Sequence, residues 1–377
     1  VRRFLVTVAA CALLAAGCTP TPPRAPESVQ HMLDRHAAAV LHHDEPAFLA
    51  DVAPSLQPAQ RQVFQNLAEV PLASWSYRLE SSGSAARVQL RYRVKGYDAD
   101  PVTTDLSLGL TRSGGRWRIT SEQHTAAQLW DQGKVHVVRG TRSLVLGLGT
   151  PASLAAYAAD ADRAVAAVRR VWGDHWARRV VLEVPGTLDQ MAALLNASSA
   201  AYRGIAAVTT AELGSPAVPA DRVIVNPEAF GELSALGRQV VLTHETTHVA
   251  TRAFTTSATP LWLSEGAADW TGYLGTGRTP HQVAPELARD VAAGKLPRNL
   301  PSNTDFGTTA AGLAQAYEGG WLACRLIADQ WGSAKLTALY RGVNDRTTAD
   351  AAMRRTLGVS LVEFTARWRA YVQKELA

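Results

Sequence analysis

His244, Glu245 and His248 fall within five residues of one another, and their spacing fixes the backbone that can use them. Residues four apart lie on one face of an α-helix, so a helix aims both imidazoles at a single point. Two nitrogen ligands converging in this way suit a Zn²⁺ ion. Glu245, one residue on from His244, sits near the same edge of the helix but off the ligand line. From there it can act as a general base on a water molecule without occupying a coordination position. The chain must therefore deliver a helix over roughly Ser234 to Phe254, with Thr246 and Thr247 in the variable positions.

The HExxH pattern alone is short enough to arise by chance, so the decision rests on a third ligand. A zinc site open to water takes three protein ligands. With sixteen residues between it and His248, Glu265 is placed by the string Thr259 to Trp270 (TPLWLSEGAADW) near the start of a second helix, just after Pro260-Leu261-Trp262. Asp269 follows four residues later and shares the face of Glu265. A carboxylate there can accept the free ring N–H of a metal-bound histidine, and we assign Asp269 to His244 in that role.

HETTH, a spacer and PLWLSEGAADW together resemble the Glu-zincin (thermolysin-like, peptidase MA) superfamily over about Val135 to Ala377. The resemblance implies His244, His248 and Glu265 as zinc ligands, Glu245 as catalytic base, and a peptide or protein as substrate. The later run AYEGGWLACRLIADQWG also looks like a helix of that superfamily. Within it, Tyr317 is the candidate donor to the tetrahedral oxyanion, because the small residues of Glu318-Gly319-Gly320 permit close approach; a packed core tyrosine is the alternative. His281, in the loop-like GRTPHQ, is the runner-up. In this fold an edge strand pairs with the substrate backbone, and Gly204 to Thr210 is the segment expected to do so. The Gly-x-Met-Glu-Asn element by which related aminopeptidases hold a free amino terminus is lacking, which favours an endopeptidase.

Elsewhere the pattern separates an α+β region from this one. Between Glu27 and about Gln123 helices give way to strands. Asp44 followed by Glu45-Pro46 reads as a capped helix start, and a second helix runs near Pro58 to Ala68. Val88, Leu90, Tyr92 and Val94 then alternate with Arg87, Gln89, Arg91 and Arg93, the period of a half-buried strand. Leu106, Leu108 and Leu110 mark another strand, and Ser113-Gly114-Gly115 turns it into one carrying Trp117 and Ile119. This order, with FQNLAEVPL leading into the sheet, resembles a nuclear transport factor two-like (SnoaL-like) cone.

From Lys134 onward, KVHVVRG, RSLVLGLG, ARRVVLEVP, GIAAVTT and DRVIVNP read as strands, and Pro151 to Val171 as a long helix. From about Leu233 the chain reads as almost wholly helical. The expected fold class is thus α+β: a cone of helices and antiparallel sheet over residues 27–128, then a zincin domain over residues 129–377. In the zincin domain a mixed sheet carries the active-site helix, and a helical subdomain follows.

The first residues carry an address. Arg2-Arg3 precede an almost unbroken apolar run from Phe4 to Ala16, which is too short to span a bilayer as a helix. Leu14-Ala15-Ala16-Gly17-Cys18 resembles a bacterial lipobox, with Ala15 standing where the pattern prefers leucine. The resemblance implies cleavage before Cys18 (a signal peptide over residues 1–18), lipidation of that cysteine, and an exported protein held at the outer face of a bacterial membrane. Plain signal-peptidase cleavage, giving a secreted protein, is the alternative. Residues 19–26 hold four prolines and suit an extended tether. Cys324 then remains alone and reads as a buried small hydrophobe. A formal net charge of +5, dispersed along the chain, gives no case for nucleic-acid binding. The competing reading is a non-catalytic binding or assembly lipoprotein with a structural zinc. A structural site would need a fourth protein ligand, and no cysteine or histidine stands at a natural spacing to supply one.

Overall fold

Two sheets organise the chain, one antiparallel and one mixed, with helices around both. The computed structural model describes residues 27–82, 85–210, 220–307 and 310–377. The signal-like segment and tether, Cys18 included, lie outside the described residues. Among the described residues no helix is long and apolar enough to cross a membrane.

Helices α1 (Val29–Leu41), α2 (Glu45–Ala50) and α3 (Gln57–Leu67) precede the antiparallel sheet. Its strands β1 (Leu72–Ser81), β2 (Ala86–Val94), β3 (Val102–Ser113) and β4 (Arg116–His124) pair in sequence order. The Asp44 side chain accepts the Ala47 N–H at 3.0 Å and so caps α2, with Pro46 in the first turn. On β2, Val88, Leu90, Tyr92 and Val94 are buried while the arginines between them reach solvent, because successive side chains of a strand point to opposite faces. Gly114 and Gly115 both take positive φ (59° and 81°), which the two-residue β3–β4 hairpin requires. The strand β1 is absent from the sequence expectations, although Trp75 and Tyr77 alternate with serine and arginine there and are buried.

The first core does not stop at the first sheet. Leu129 and Trp130, then Val135, Leu144, Leu146 and Val181, join the same apolar cluster as Trp75 and Tyr92. A buried ion pair reinforces the junction. Arg222 donates to both carboxylate oxygens of Asp98, at 2.8 and 2.7 Å, and stands 3.5 Å from Glu183.

The second sheet has the order β5-β6-β7-β9-β8, with strands β5 (His136–Arg139), β6 (Ser143–Gly147), β7 (Val180–Val184), β8 (Ala207–Thr209) and β9 (Val223–Val225). The inner three run parallel, and the edges β5 and β8 antiparallel. The crossover helix α4 (Pro151–Trp172) starts at a Thr150 cap with Pro151 in its first turn. A short helix α5 (Leu188–Leu194), also absent from the expectations, and α6 (Pro227–Glu232) flank the sheet strands.

Helices make up most of the remaining chain: α7 (Ala235–Thr251), α8 (Leu261–Tyr273), α9 (Pro280–Val283), α10 (Pro285–Ala292), α11 (Leu313–Trp331), α12 (Ser333–Gly342), α13 (Ala349–Leu357) and α14 (Leu361–Leu376). Helix α7 packs against α4, α8 and β8. Its buried threonines are satisfied within the helix. The hydroxyls of Thr243, Thr247 and Thr251 donate to the carbonyls of Gln239, Thr243 and Thr247 at 2.7, 2.8 and 2.9 Å. Helices α8 and α11 cross where Gly266 meets Gly320. A Cβ on Gly266 would collide with the Gly320 carbonyl, and one on Gly320 would come within 2.9 Å of the Trp262 oxygen. Cys324 is fully buried in the helical core.

Candidate metal centre

Two helices build the site. Helix α7 begins at Ser234, whose hydroxyl accepts the Gly237 N–H at 3.1 Å, and carries His244, Glu245 and His248. Helix α8 begins directly after Pro260 and carries Glu265 and Asp269 one turn apart. Because α7 and α8 pack side by side, the three ligand-type atoms meet. His244 Nε2 and His248 Nε2 are 3.0 Å apart, and Glu265 Oε2 lies 3.3 and 3.4 Å from them.

These separations test whether a metal fits. A tetrahedral zinc with bonds of about 2.0–2.1 Å spaces its ligand atoms about 3.3–3.4 Å apart. The observed triangle is close to that, and two imidazoles with one carboxylate are a donor set zinc accepts. Among the described residues, this is the group of three such side chains that could hold an ion, its ligand atoms all within 4.8 Å of one another.

The surroundings fix each group. His244 Nδ1 lies 2.8 Å from Asp269 Oδ1. A carboxylate only accepts, so Nδ1 carries a proton and Nε2 is the nitrogen turned to the convergence point. Burial works against charge on His244, but Asp269 and Glu265 outweigh it and lift its pKa well above the ordinary value. Burial likewise opposes ionisation of Glu265, yet the two histidines prevail and hold its carboxyl well below the usual range. Glu245 moves the other way. Burial pushes its pKa up, against the pull of both histidines and of Thr209.

Thr209, on the edge strand β8, donates its hydroxyl to Glu245 Oε2 at 2.7 Å and to the Glu245 carbonyl at 3.1 Å. No sequence signal marks this residue, because the contact joins positions 36 apart through the packing of β8 on α7. The structure therefore sets the edge of the sheet directly beside Glu245.

Beyond Asp269 a cleft of about 290 Å³ opens, lined by Asp269, Tyr273, Val283, Ala314, Tyr317, Glu318 and Trp321. Tyr317 is thereby brought to the site; its ring packs edge-on against Phe306. Burial and the Glu265 carboxylate raise the Tyr317 pKa, so its hydroxyl keeps the proton. His281 is elsewhere, exposed on the short helix α9.

No family model matches the sequence, and no curated protein matches it. Among solved structures, a variant of a two-domain M1 zinc metallopeptidase bound to L-arginine is similar at 14% sequence identity, with a TM-score of 0.35. The match covers 78% of this chain and 62% of that one, so the chain spans less than two thirds of that structure's length.

Proposed function

We propose that the protein is a zinc-dependent peptidase of the Glu-zincin type, with a cone-like first domain and an endopeptidase's open edge. The observation that carries this reading is the triangle of His244, His248 and Glu265 with Glu245 beside it and off the ligand positions. His244, His248 and Glu265 would hold the ion, and the bound zinc supplies Lewis-acid polarisation of water and of the scissile carbonyl.

The protein's own groups do the rest. Glu245 takes a proton from the water that attacks the peptide carbon, and returns one to the amine as the C–N bond breaks. Its raised pKa suits a group that must first accept a proton and then give it up. The Thr209 hydroxyl orients the carboxylate for both transfers. Tyr317, protonated and lining the cleft, supplies the hydrogen bond to the developing oxyanion. Strand β8 is an edge strand of its sheet among the described residues, and an extended peptide can pair with its outer edge. The sequence of residues 1–26 supports an exported protein tethered through a lipidated Cys18.

Zinc-loaded protein should cleave members of a denatured-protein or peptide library. Glu245→Gln should lower turnover by about 10²–10⁴-fold while the zinc content stays the same. Undiminished cleavage by that variant would remove the mechanism.

A further inference from the structure

The cleft beyond Asp269 has walls of one chemical character. Tyr273, Tyr317 and Trp321 are aromatic, Val283 and Ala314 are small and apolar, and the two charged groups are carboxylates, Asp269 and Glu318. Neither carboxylate is paired with a lysine or arginine among the described residues. Asp269 contacts His244 through Oδ1. Glu318 is 7% exposed and accepts the backbone N–H groups of Glu286 and Leu287, at 3.1 and 2.7 Å. Arg325 lies over the Trp321 ring at 5.5 Å, but its head pairs with Asp329 and Glu375.

Glu318 is held by backbone N–H groups and by no lysine or arginine, so it can still take a cation, and aromatic faces attract cations. At about 290 Å³ the cleft stands at the lower end of ligand-pocket sizes and has room for one long side chain. We propose that it receives the side chain of a lysine or arginine of the peptide substrate, flanking the bond that is cut. This rests on the peptidase reading above. The aliphatic stem packs on Val283 and the aromatic rings, and the cationic head reaches Glu318. Each Glu318 oxygen accepts one backbone bond, and the Glu286 carboxyl adjoins the pair. Burial and the adjacent Glu286 carboxyl hold the Glu318 pKa up to about 8, the condition an incoming cation relieves.

The test uses the zinc-loaded protein and matched fluorogenic peptides with arginine, lysine, norleucine or glutamate at each position flanking the cut. At one position arginine and lysine should exceed norleucine in kcat/KM by about tenfold, with glutamate lowest. Glu318→Gln should remove most of that preference, lowering kcat/KM for arginine and lysine several-fold more than for norleucine. Because Glu318 also caps α10, Tyr273→Leu serves as a second variant. It thins the aromatic wall without touching the cap, and should reduce the preference about threefold. Cleavage with no cationic preference at any position overturns the inference and leaves the peptidase reading standing. If no peptide is cut, the peptidase reading falls, and the cleft is judged by binding alone. n-Butylguanidinium, titrated by tryptophan fluorescence, should then bind wild type more tightly than n-butanol, and lose that advantage in Glu318→Gln. Equal binding of the two probes overturns the inference.

Discussion

Two histidine–carboxylate clusters in this molecule use the same side chains and come to opposite ends. At the antiparallel sheet, His124 stands between Glu122 on the same strand and Asp131 in the turn that follows β4. Its Nε2 is 2.6 Å from Glu122 Oε1 and its Nδ1 3.0 Å from Asp131 Oδ2. Burial opposes the charge, but the two carboxylates win and push the His124 pKa up to about 10. Each of its nitrogens faces a different carboxylate, so its cluster offers no group of ligand atoms converging on one point. Between helices α7 and α8, His244 turns Nδ1 to Asp269 and Nε2 to a point shared with His248 and Glu265. The residue types do not separate the clusters; the second histidine that meets Glu265 at the far nitrogen of His244 does.

The comparison breaks most visibly in metal content. Wild type should bind one zinc per chain, and His248→Ala should lose tight binding altogether, whereas His124→Ala should keep full stoichiometry. Metal analysis after dialysis against a weak chelator decides it, and zinc lost from the His124 variant would undo the contrast. A smaller effect is expected from Asp269→Asn. The variant keeps all three ligands but replaces the carboxylate that orients His244 and enriches its basicity, so zinc affinity should fall by about 10–100-fold. Competition with a chromophoric chelator measures this. An unchanged affinity would mean that helix packing alone sets the imidazole.

Much of the second cluster was legible in the sequence, because its residues lie on two neighbouring helices whose spacing does the positioning. The expected helix over Ser234 to Phe254 is found as α7, Ala235–Thr251, continued by a 3₁₀ turn through Phe254. The Ser234 cap and the i, i+4 register carry that information locally. The long crossover helix and the five strands of the second sheet also fall where the apolar runs place them. What the sequence hides is contact between distant elements. Thr209 meets Glu245 only because β8 packs on α7, and the cleft exists only because α11 crosses α8 at Gly266 and Gly320. In the antiparallel sheet, β1 escaped notice because serines dilute its alternation of Trp75 and Tyr77. Glu122 and His124 share a strand face two residues apart, but Asp131 joins them only through the following turn.

The smallest expected effect is the most selective for the first cluster. His124 has a folded-state pKa of about 10, above the ~6.5 of an unfolded histidine. The folded state therefore binds the proton more tightly. Its contribution to stability is complete below about pH 6.5 and is lost as pH rises through about 10. No such alkaline loss should occur in His124→Gln, which has no proton to release there. Melting temperatures of zinc-saturated wild type and His124→Gln should therefore converge between pH 7 and pH 10, by roughly 3–6 °C. Lysines and tyrosines titrate in both proteins, so their effects cancel in the difference. Parallel curves across that range would show that Glu122 and Asp131 do not hold His124 as a cation. The distinction between a histidine locked by two carboxylates and one left open for a metal would then lose its first half.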